Sequence, residues 1–184
     1  MKILNCISDV NTKNYIIQPI LRNHEYSKNI YDGCLNTIRV LTCVSGEVVK
    51  VVASVHRFGS ATTGSVDNFS AGGISAKVDL KTGELLSAVQ FDGKNRVGLT
   101  EHPDTGATIV GVKVPNWENA IAHLISLHSQ ISFVPYIGWD IAMVDDSFMI
   151  VEANHVSDLD LIQCHGGIIG DSDIKEFYKR KIVL

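Results

Sequence analysis

The segment 136–154 restricts the fold more than any other part of the sequence, because two alternating apolar stretches flank a short acidic turn. Apolar residues alternate with others over 137–143 and again over 148–151, and the polar residues 145–147 separate them. Alternation with a period of two is typical of strands, and Asp and Ser favour turns. The segment therefore predicts a β-hairpin, whose strands must be antiparallel because so short a turn cannot join parallel ones.

The length of the turn decides which side chains share a face of this hairpin. A three-residue loop pairs Val144 with Phe148. Counting back then places Asp140 opposite Glu152, with Asn154 on the same face. Opposed like charges are destabilising, so this register requires a cation, and such oxygen ligands suit Mg²⁺ or Mn²⁺ better than Zn²⁺. A two-residue loop instead turns Glu152 to the other face and leaves ordinary solvated carboxylates, and the spacing alone leaves both registers open.

The rest of the chain predicts more strands than helices. Strands are predicted at 36–44, 48–58, 74–80, 85–91 and 109–114, and a short apolar run at 15–21, broken by a proline, suits an edge or linker strand. The segment 22–33 is predicted as a loop or short helix, and 92–103 as a polar loop. The fold class is therefore α+β, with a mostly antiparallel sheet and one or two packed helices in a single domain over 1–184.

Two helices are predicted in the second half of the chain. The first begins after Asn116, the expected N-cap, and its apolar face contains residues 117, 121, 124, 125 and 131. His123 and His128 lie five residues apart, so they do not share a face, and both are predicted to be partly exposed. Asp173 followed by Glu176 resembles a capping box for a short last helix.

Composition excludes several functional classes. A net charge of −4, with 20% charged residues and no basic run, gives no electrostatic case for nucleic acid or an anionic membrane. No apolar stretch is long enough for a transmembrane helix or a signal peptide, so a cytoplasmic protein is expected. The four cysteines have neither disulfide nor metal-ligand spacing and are predicted to be reduced.

The segment 59–73 is rich in glycine and hydroxyl side chains. Such a loop lets backbone N–H groups approach an anion closely, as phosphate-binding loops do. It matches neither the P-loop motif nor the dinucleotide-binding motif, so a flexible surface loop is an equally good interpretation from this stretch alone.

Six short motifs follow one another in an order that resembles the ATP-grasp superfamily, and most closely its sugar-transfer associated branch. They are Asn-Thr-Ile-Arg at 36–39, His-Arg at 56–57, Val-Asp-Asn-Phe at 66–69 with Ala-Gly-Gly at 71–73, His-Pro-Asp-Thr-Gly at 102–106, Gly-Trp-Asp at 138–140 and Val-Glu-Ala-Asn at 151–154. The resemblance extends from about residue 15 to residue 167.

The resemblance implies a set of site residues around ATP and Mg²⁺. The expected metal ligands are Asp140, Glu152 and Asn154, which favours the register with a three-residue loop. The residues expected to face the phosphates or the transferred group are Arg39, Arg57, Asn68, Gly72 and Gly73, and Gln18 is a candidate adenine contact. Phosphoryl transfer depends mainly on positioned cations and hydrogen-bond donors, which agrees with this set.

The resemblance also implies an activity, an ATP-dependent carboxylate–amine ligase with an acyl-phosphate intermediate, linked to polysaccharide or cell-surface biosynthesis. Its partners would be ATP, a small carboxylate and an amine or sugar-linked acceptor. The chain departs from the family in lacking Pro-Gly shortly after Asn154. It resembles the C-terminal ATP-grasp subdomain without the N-terminal one, so the alternatives are a homo-oligomer, half of a two-chain assembly, or a non-catalytic nucleotide-binding or interaction module.

Overall fold

The computed structural model describes residues 19–91, 95–145, 147–170, 175 and 177–179. Its strands form one seven-stranded sheet in the order β5-β4-β3-β2-β1-β6-β7, and every neighbouring pair is antiparallel. The strands are β1 (Ile38–Ser45), β2 (Val48–Phe58), β3 (Ile74–Val78), β4 (Leu85–Phe91), β5 (Arg96–Leu99), β6 (Tyr136–Val144) and β7 (Ser147–Asn154). The helices are α1 (Glu25–Ile30), α2 (Trp117–Gln130) and α3 (Asp160–Gln163), with 3₁₀ turns at Phe69–Ala71 and Ile168–Gly170. The predicted α+β class is confirmed.

The two faces of the sheet have different coverings. On one face α2 packs Trp117 and Leu124 into the larger apolar cluster, which also contains Ile38, Val40 and Ile141. The other face carries a smaller cluster in which α3 contributes two apolar residues. Because side chains alternate along a strand, a residue beside Val40 on β1 points to this second, partly uncovered face.

The hairpin β6–β7 reaches the predicted pairing by an unexpected route. Val144 pairs with Ser147 rather than Phe148, so the predicted three-residue loop is wrong. Asp145 takes a positive φ of 40°, the conformation that tight two-residue hairpin turns require. The register then shifts between Asp140 and Ile141, and this β-bulge places Asp140 opposite Glu152 after all.

Two loop and strand predictions near the other edge are also wrong. The segment 109–114 is not a strand, because Gly111 has a φ of 88° and forms a turn, while Ile109 and Val114 are buried under the sheet. Conversely β5 lies within the predicted loop 92–103. A short edge strand with exposed side chains needs no apolar alternation, so its sequence gives no strand signal.

The long helix agrees with its prediction except at two polar residues. Asn116 occupies the N-cap position, but it has a φ of 52° and its side chain makes no capping hydrogen bond. His123 is exposed as predicted, whereas His128 is completely buried against β1 and β6. Most of the predicted last helix, with its capping box, lies outside the described residues, as does most of the run 15–21.

Three cysteines, Cys34, Cys43 and Cys164, are free thiols, and Cys6 lies outside the described residues. Within the described part of the chain, no helix is long and apolar enough to cross a membrane.

The buried His56 makes the stability of the fold depend on pH. Its Nδ1–H donates to the carbonyl of Arg57 at 3.2 Å, and its Nε2 accepts from the hydroxyl of Tyr26 at 2.7 Å, so the ring is neutral. Burial lowers the pKa of His56 from 6.5 to about 3. The unfolded chain therefore binds a proton between these pH values that the folded chain excludes.

We expect the free energy of unfolding to decrease as the pH falls from about 6.5 towards 4, and less steeply in His56→Gln than in the wild type. Urea unfolding at several pH values checks this. His123→Gln, at an exposed position of α2, is the matched control and should keep the wild-type slope. Equal slopes in all three proteins would contradict the assignment.

Candidate functional site

Three neighbouring strands place charged side chains on the partly uncovered face of the sheet. Arg39 on β1 is paired in register with Asp140 on β6, and Arg57 lies near the end of the adjacent β2. Arg39 and Asp140 are only 6% and 4% exposed. We refer to Arg39, Arg57 and Asp140 as the charged floor.

The carboxylate of Asp140 holds the charged floor together. Arg39 binds it with two donors, Nε to Oδ1 and Nη2 to Oδ2, the latter at 3.0 Å. Arg57 Nη2 donates to Oδ2 at 3.0 Å. Burial acts to lower the pKa of Arg39, but the Asp140 carboxylate outweighs it and keeps that pKa above its usual value. Both arginines are therefore fixed cations with their charge partly neutralised.

Asp67 is a fourth charged member that the sequence reasoning missed. Its Oδ2 accepts from the backbone N–H of Thr37 at 2.8 Å and from the Thr37 hydroxyl at 2.6 Å, and it lies 3.5 Å from Arg57 Nε. Arg57 Nε also donates to the Thr37 hydroxyl, at 2.8 Å. The contact joins residues thirty positions apart, so only the position of Asp67 beside Asn68 in its motif could have drawn attention to it.

The glycine-rich segment is an ordered turn that delivers Asp67 and Asn68 to the floor. The side chain of Asn68 accepts from the N–H of Ser70 at 3.1 Å and caps the 3₁₀ turn. The N–H groups of Gly72 and Gly73 donate within the same turn, to the carbonyls of Phe69 and Asn68. They do not point freely outwards, as donors to an anion would. A Cβ on Gly73 would lie 2.8 Å from the Asn68 carbonyl oxygen, so glycine is needed there for close packing.

The turn at 102–106 anchors the start of this glycine-rich segment. Asp104 Oδ2 accepts from the N–H of Ala61 at 2.7 Å. His102 Nδ1 accepts from the backbone N–H of Asp104, so its Nε2 carries the proton and donates to the carbonyl of Gly59 at 2.9 Å. The motif at 102–106 therefore has a positioning role that its sequence does not indicate.

Glu152 and Asn154 lie on β7, beside the charged floor. Glu152 is exposed, and its negative charge helps to raise the pKa of Arg39. Asn154 is half-buried and pairs with Gly138. A loop residue after β7, Ser157, accepts from Arg39 Nη1 at 2.6 Å and was not anticipated.

One cleft of about 340 Å³ brings most of the predicted residues together. Its polar and charged lining consists of Arg39, Arg57, Asp67, Asn68, Ser70, Asp140, Glu152 and Asp158. Gly72 lines a neighbouring cleft, and Gln18 lies outside the described residues.

The carboxylate oxygens of this cleft are of the type that divalent cations prefer. The two arginines already neutralise part of the negative charge of these carboxylates. Two arginines face four carboxylates, which leaves an excess of two negative charges on Glu152 and Asp158. Oδ1 of Asp140 accepts one hydrogen bond and keeps one lone pair, whereas Oδ2 accepts two. No group of three His, Cys, Asp or Glu side chains within the described ranges is arranged to hold a metal by itself.

A family model described as sugar-transfer associated ATP-grasp matches residues 5–172. Comparison with curated proteins and with solved structures gave no match.

Proposed function

Since the chain belongs to the sugar-transfer associated ATP-grasp family, which implies ATP binding and a ligase-like function linked to sugar transfer, we propose that it binds Mg–ATP over the charged floor and activates a carboxylate. The observation that supports this most is the joint position of the charged floor and the exposed Glu152 in one cleft. Fixed guanidinium groups are strong phosphate partners, and an exposed carboxylate beside them suits a phosphate-bound cation.

Each residue of the charged floor has a defined part in this proposal, and so does the turn beside it. Arg39 and Arg57 bind phosphate oxygens and neutralise the charge that develops on them during transfer. Asp140 holds both guanidinium groups in position. Asp67 and Asn68 fix the turn that closes the cleft on the side of the glycine-rich segment.

Mg²⁺, or Mn²⁺ in its place, would be held by Glu152 with Asn154 and the remaining lone pair of Asp140. Such an ion would supply positive charge that offsets the negative charge of the phosphate groups. The bulge in β7 is what turns Glu152 to the same face as Asp140.

The proposed reaction has two steps. A substrate carboxylate oxygen attacks the γ-phosphorus of ATP, and the bond to the bridging oxygen breaks to release ADP. An amine then attacks the acyl carbon of the acyl phosphate, and inorganic phosphate leaves as the amide forms and the amine loses a proton.

We expect Glu152→Gln to weaken Mg–ATP binding by at least about tenfold, because the amide has the shape of the carboxylate but not its charge. Calorimetric titration of Mg–ATP into the full chain measures this. Glu118→Gln, exposed in the first turn of α2 on the other face, is the matched control and should bind as the wild type does. Equal heats for wild type and Glu152→Gln would overturn the metal assignment.

A second candidate is a nucleotide-binding module without catalysis. The observation that favours it is the engagement of both Asp140 oxygens by arginines, which leaves little coordination capacity for a metal at this residue. ADP release by the purified chain in the presence of carboxylates and amines excludes this candidate. Tight Mg–ATP binding without any ADP release supports it.

A further inference from the structure

A second, larger cleft of about 730 Å³ adjoins the charged floor, and the proposed nucleotide site does not use it. The residues that matter for its chemistry are Thr62, Phe69, Ser70, Gln90, Phe91 and Asp160. Phe69 and Ser70 also line the cleft over the charged floor, so the 3₁₀ turn that contains them is the wall shared by the two clefts.

The position of this second cleft suits a second substrate. The charged floor and Glu152 lie on β1, β2, β6 and β7, whereas the second cleft lies over the end of β4, two strands beyond β2 in the sheet. A molecule held there would meet a phosphoryl group on the floor at the shared wall. Neither cleft has to be emptied for the other to be filled.

The aromatic wall offers an apolar platform. Phe69 and Phe91 meet edge to face with ring centroids 5.8 Å apart, and the Arg96 guanidinium lies 6.0 Å from the centroid of Phe91. Phe69 is buried, whereas Phe91 is half-buried and presents part of its ring to the cleft. The face of such a ring is electron-rich and attracts the weakly positive C–H groups of a ligand.

The polar wall offers neutral hydrogen-bonding groups and one carboxylate. Gln90 Nε2 donates to the carbonyl of Gly72 at 2.8 Å, which fixes the amide and leaves its oxygen as an acceptor. Thr62 and Ser70 add hydroxyls, and the exposed Asp160 adds a carboxylate acceptor. No lysine, arginine or histidine belongs to the lining among the described residues, and the nearby Arg96 guanidinium lies over the Phe91 ring.

We propose that the second cleft binds a pyranose ring, the sugar part of the acceptor or donor used by the neighbouring site. A pyranose combines C–H groups on its faces with hydroxyls around its edge, which matches an aromatic platform beside amide, hydroxyl and carboxylate acceptors. The inference rests on the proposed function for its biological meaning, but its binding chemistry is independent of ATP. It also gives a physical counterpart to the sugar-transfer association of the family.

Ligand-observed NMR tests the proposal with four sugar probes: glucose, galactose, glucuronate and N-acetylglucosamine. We expect saturation transfer from the full chain to at least one probe, with and without Mg–ATP. Phe91→Leu should weaken that binding by about tenfold, because the aromatic face is lost while an apolar side chain remains. Asp160→Asn should weaken it less, since the amide oxygen still accepts a hydrogen bond.

Phe148→Leu is the matched control for the aromatic substitution. Phe148 is also a half-buried phenylalanine, but it lies on β7 and contacts His123 of α2 on the opposite face, so sugar binding should stay unchanged. Thermal unfolding of each variant confirms that the fold is kept.

The outcomes separate the two proposals. Sugar binding that needs Phe91 but not Glu152 supports the pyranose site, even if Mg–ATP does not bind and the proposed function fails. Absence of transfer to all four probes overturns the pyranose site, whatever the result with Mg–ATP. An equal loss of Mg–ATP binding in Phe91→Leu also overturns it, because the cleft would then hold the nucleotide.

Discussion

Replacing Asp140 by asparagine is expected to lower the free energy of unfolding by about 3 to 5 kcal/mol. The substitution keeps the shape of the side chain but removes the charge that two guanidinium groups share. Arg39 is 6% exposed, and two of its side-chain hydrogen bonds go to the Asp140 carboxylate. An uncompensated buried charge costs far more than the ion pair contributed, so the loss is large.

Guanidinium chloride unfolding, followed by the fluorescence of the buried Trp117 and Trp139, measures this effect. Asp158→Asn is the matched control, because Asp158 lines the same cleft but is exposed and forms no ion pair with the arginines in the described part of the chain. Its effect should stay within about 0.5 kcal/mol. A loss below about 1 kcal/mol for Asp140→Asn would mean that water reaches the arginines and that the floor is not buried in solution.

Thr42→Val is expected to lower the free energy of unfolding by about 2 to 4 kcal/mol, although it exchanges two residues of nearly equal volume. The hydroxyl of Thr42 accepts from Trp139 Nε1–H at 2.8 Å. It donates to His128 Nδ1 at 2.7 Å, since His128 Nε2–H is already used on the carbonyl of Val134 at 2.8 Å. Valine would leave both ring nitrogens without a partner inside the core.

The same denaturant experiment tests Thr42→Val against Thr100→Val, a substitution at an exposed threonine that should be close to neutral. The midpoint should shift while the slope with denaturant stays constant, because the surface exposed on unfolding is unchanged. A neutral result at Thr42 would show that water enters this part of the core and satisfies both rings.

The predictions that held were those controlled by local patterns. Alternation and a short turn predicted β2 and β4 with their bounds, and the expected N-cap at Asn116 predicted the first residue of α2. These signals are read from neighbours in sequence, and the same neighbours form the hairpin or the helix turn. The segment 109–114 failed because a run of apolar residues can also be buried as a turn beneath the sheet.

The hairpin at 136–154 shows where local reasoning stops. With a two-residue turn and regular pairing along both strands, the side chains of Asp140 and Glu152 would lie on opposite faces of the hairpin. One extra residue on β7 restores the pairing, and a bulge of this kind leaves no mark in the alternation of the sequence. Spacing alone leaves the pairing open, the family resemblance favours it, and the three-residue turn that would produce it along regular strands is not the turn that the structure has.

The sequence by itself determined the class of the fold, the antiparallel hairpins and the types of chemical group available for a site, because composition and short-range periodicity specify these. The tertiary structure alone decided that β1 pairs with β6 about a hundred residues away, that Asp67 reaches Thr37 and Arg57, and that His128 is buried. Such contacts depend on how the strands, the loops and α2 pack against one another. Whether a carboxylate is free for a cation or committed to an arginine is a property of that packing, and the same residues in another register would not form the charged floor.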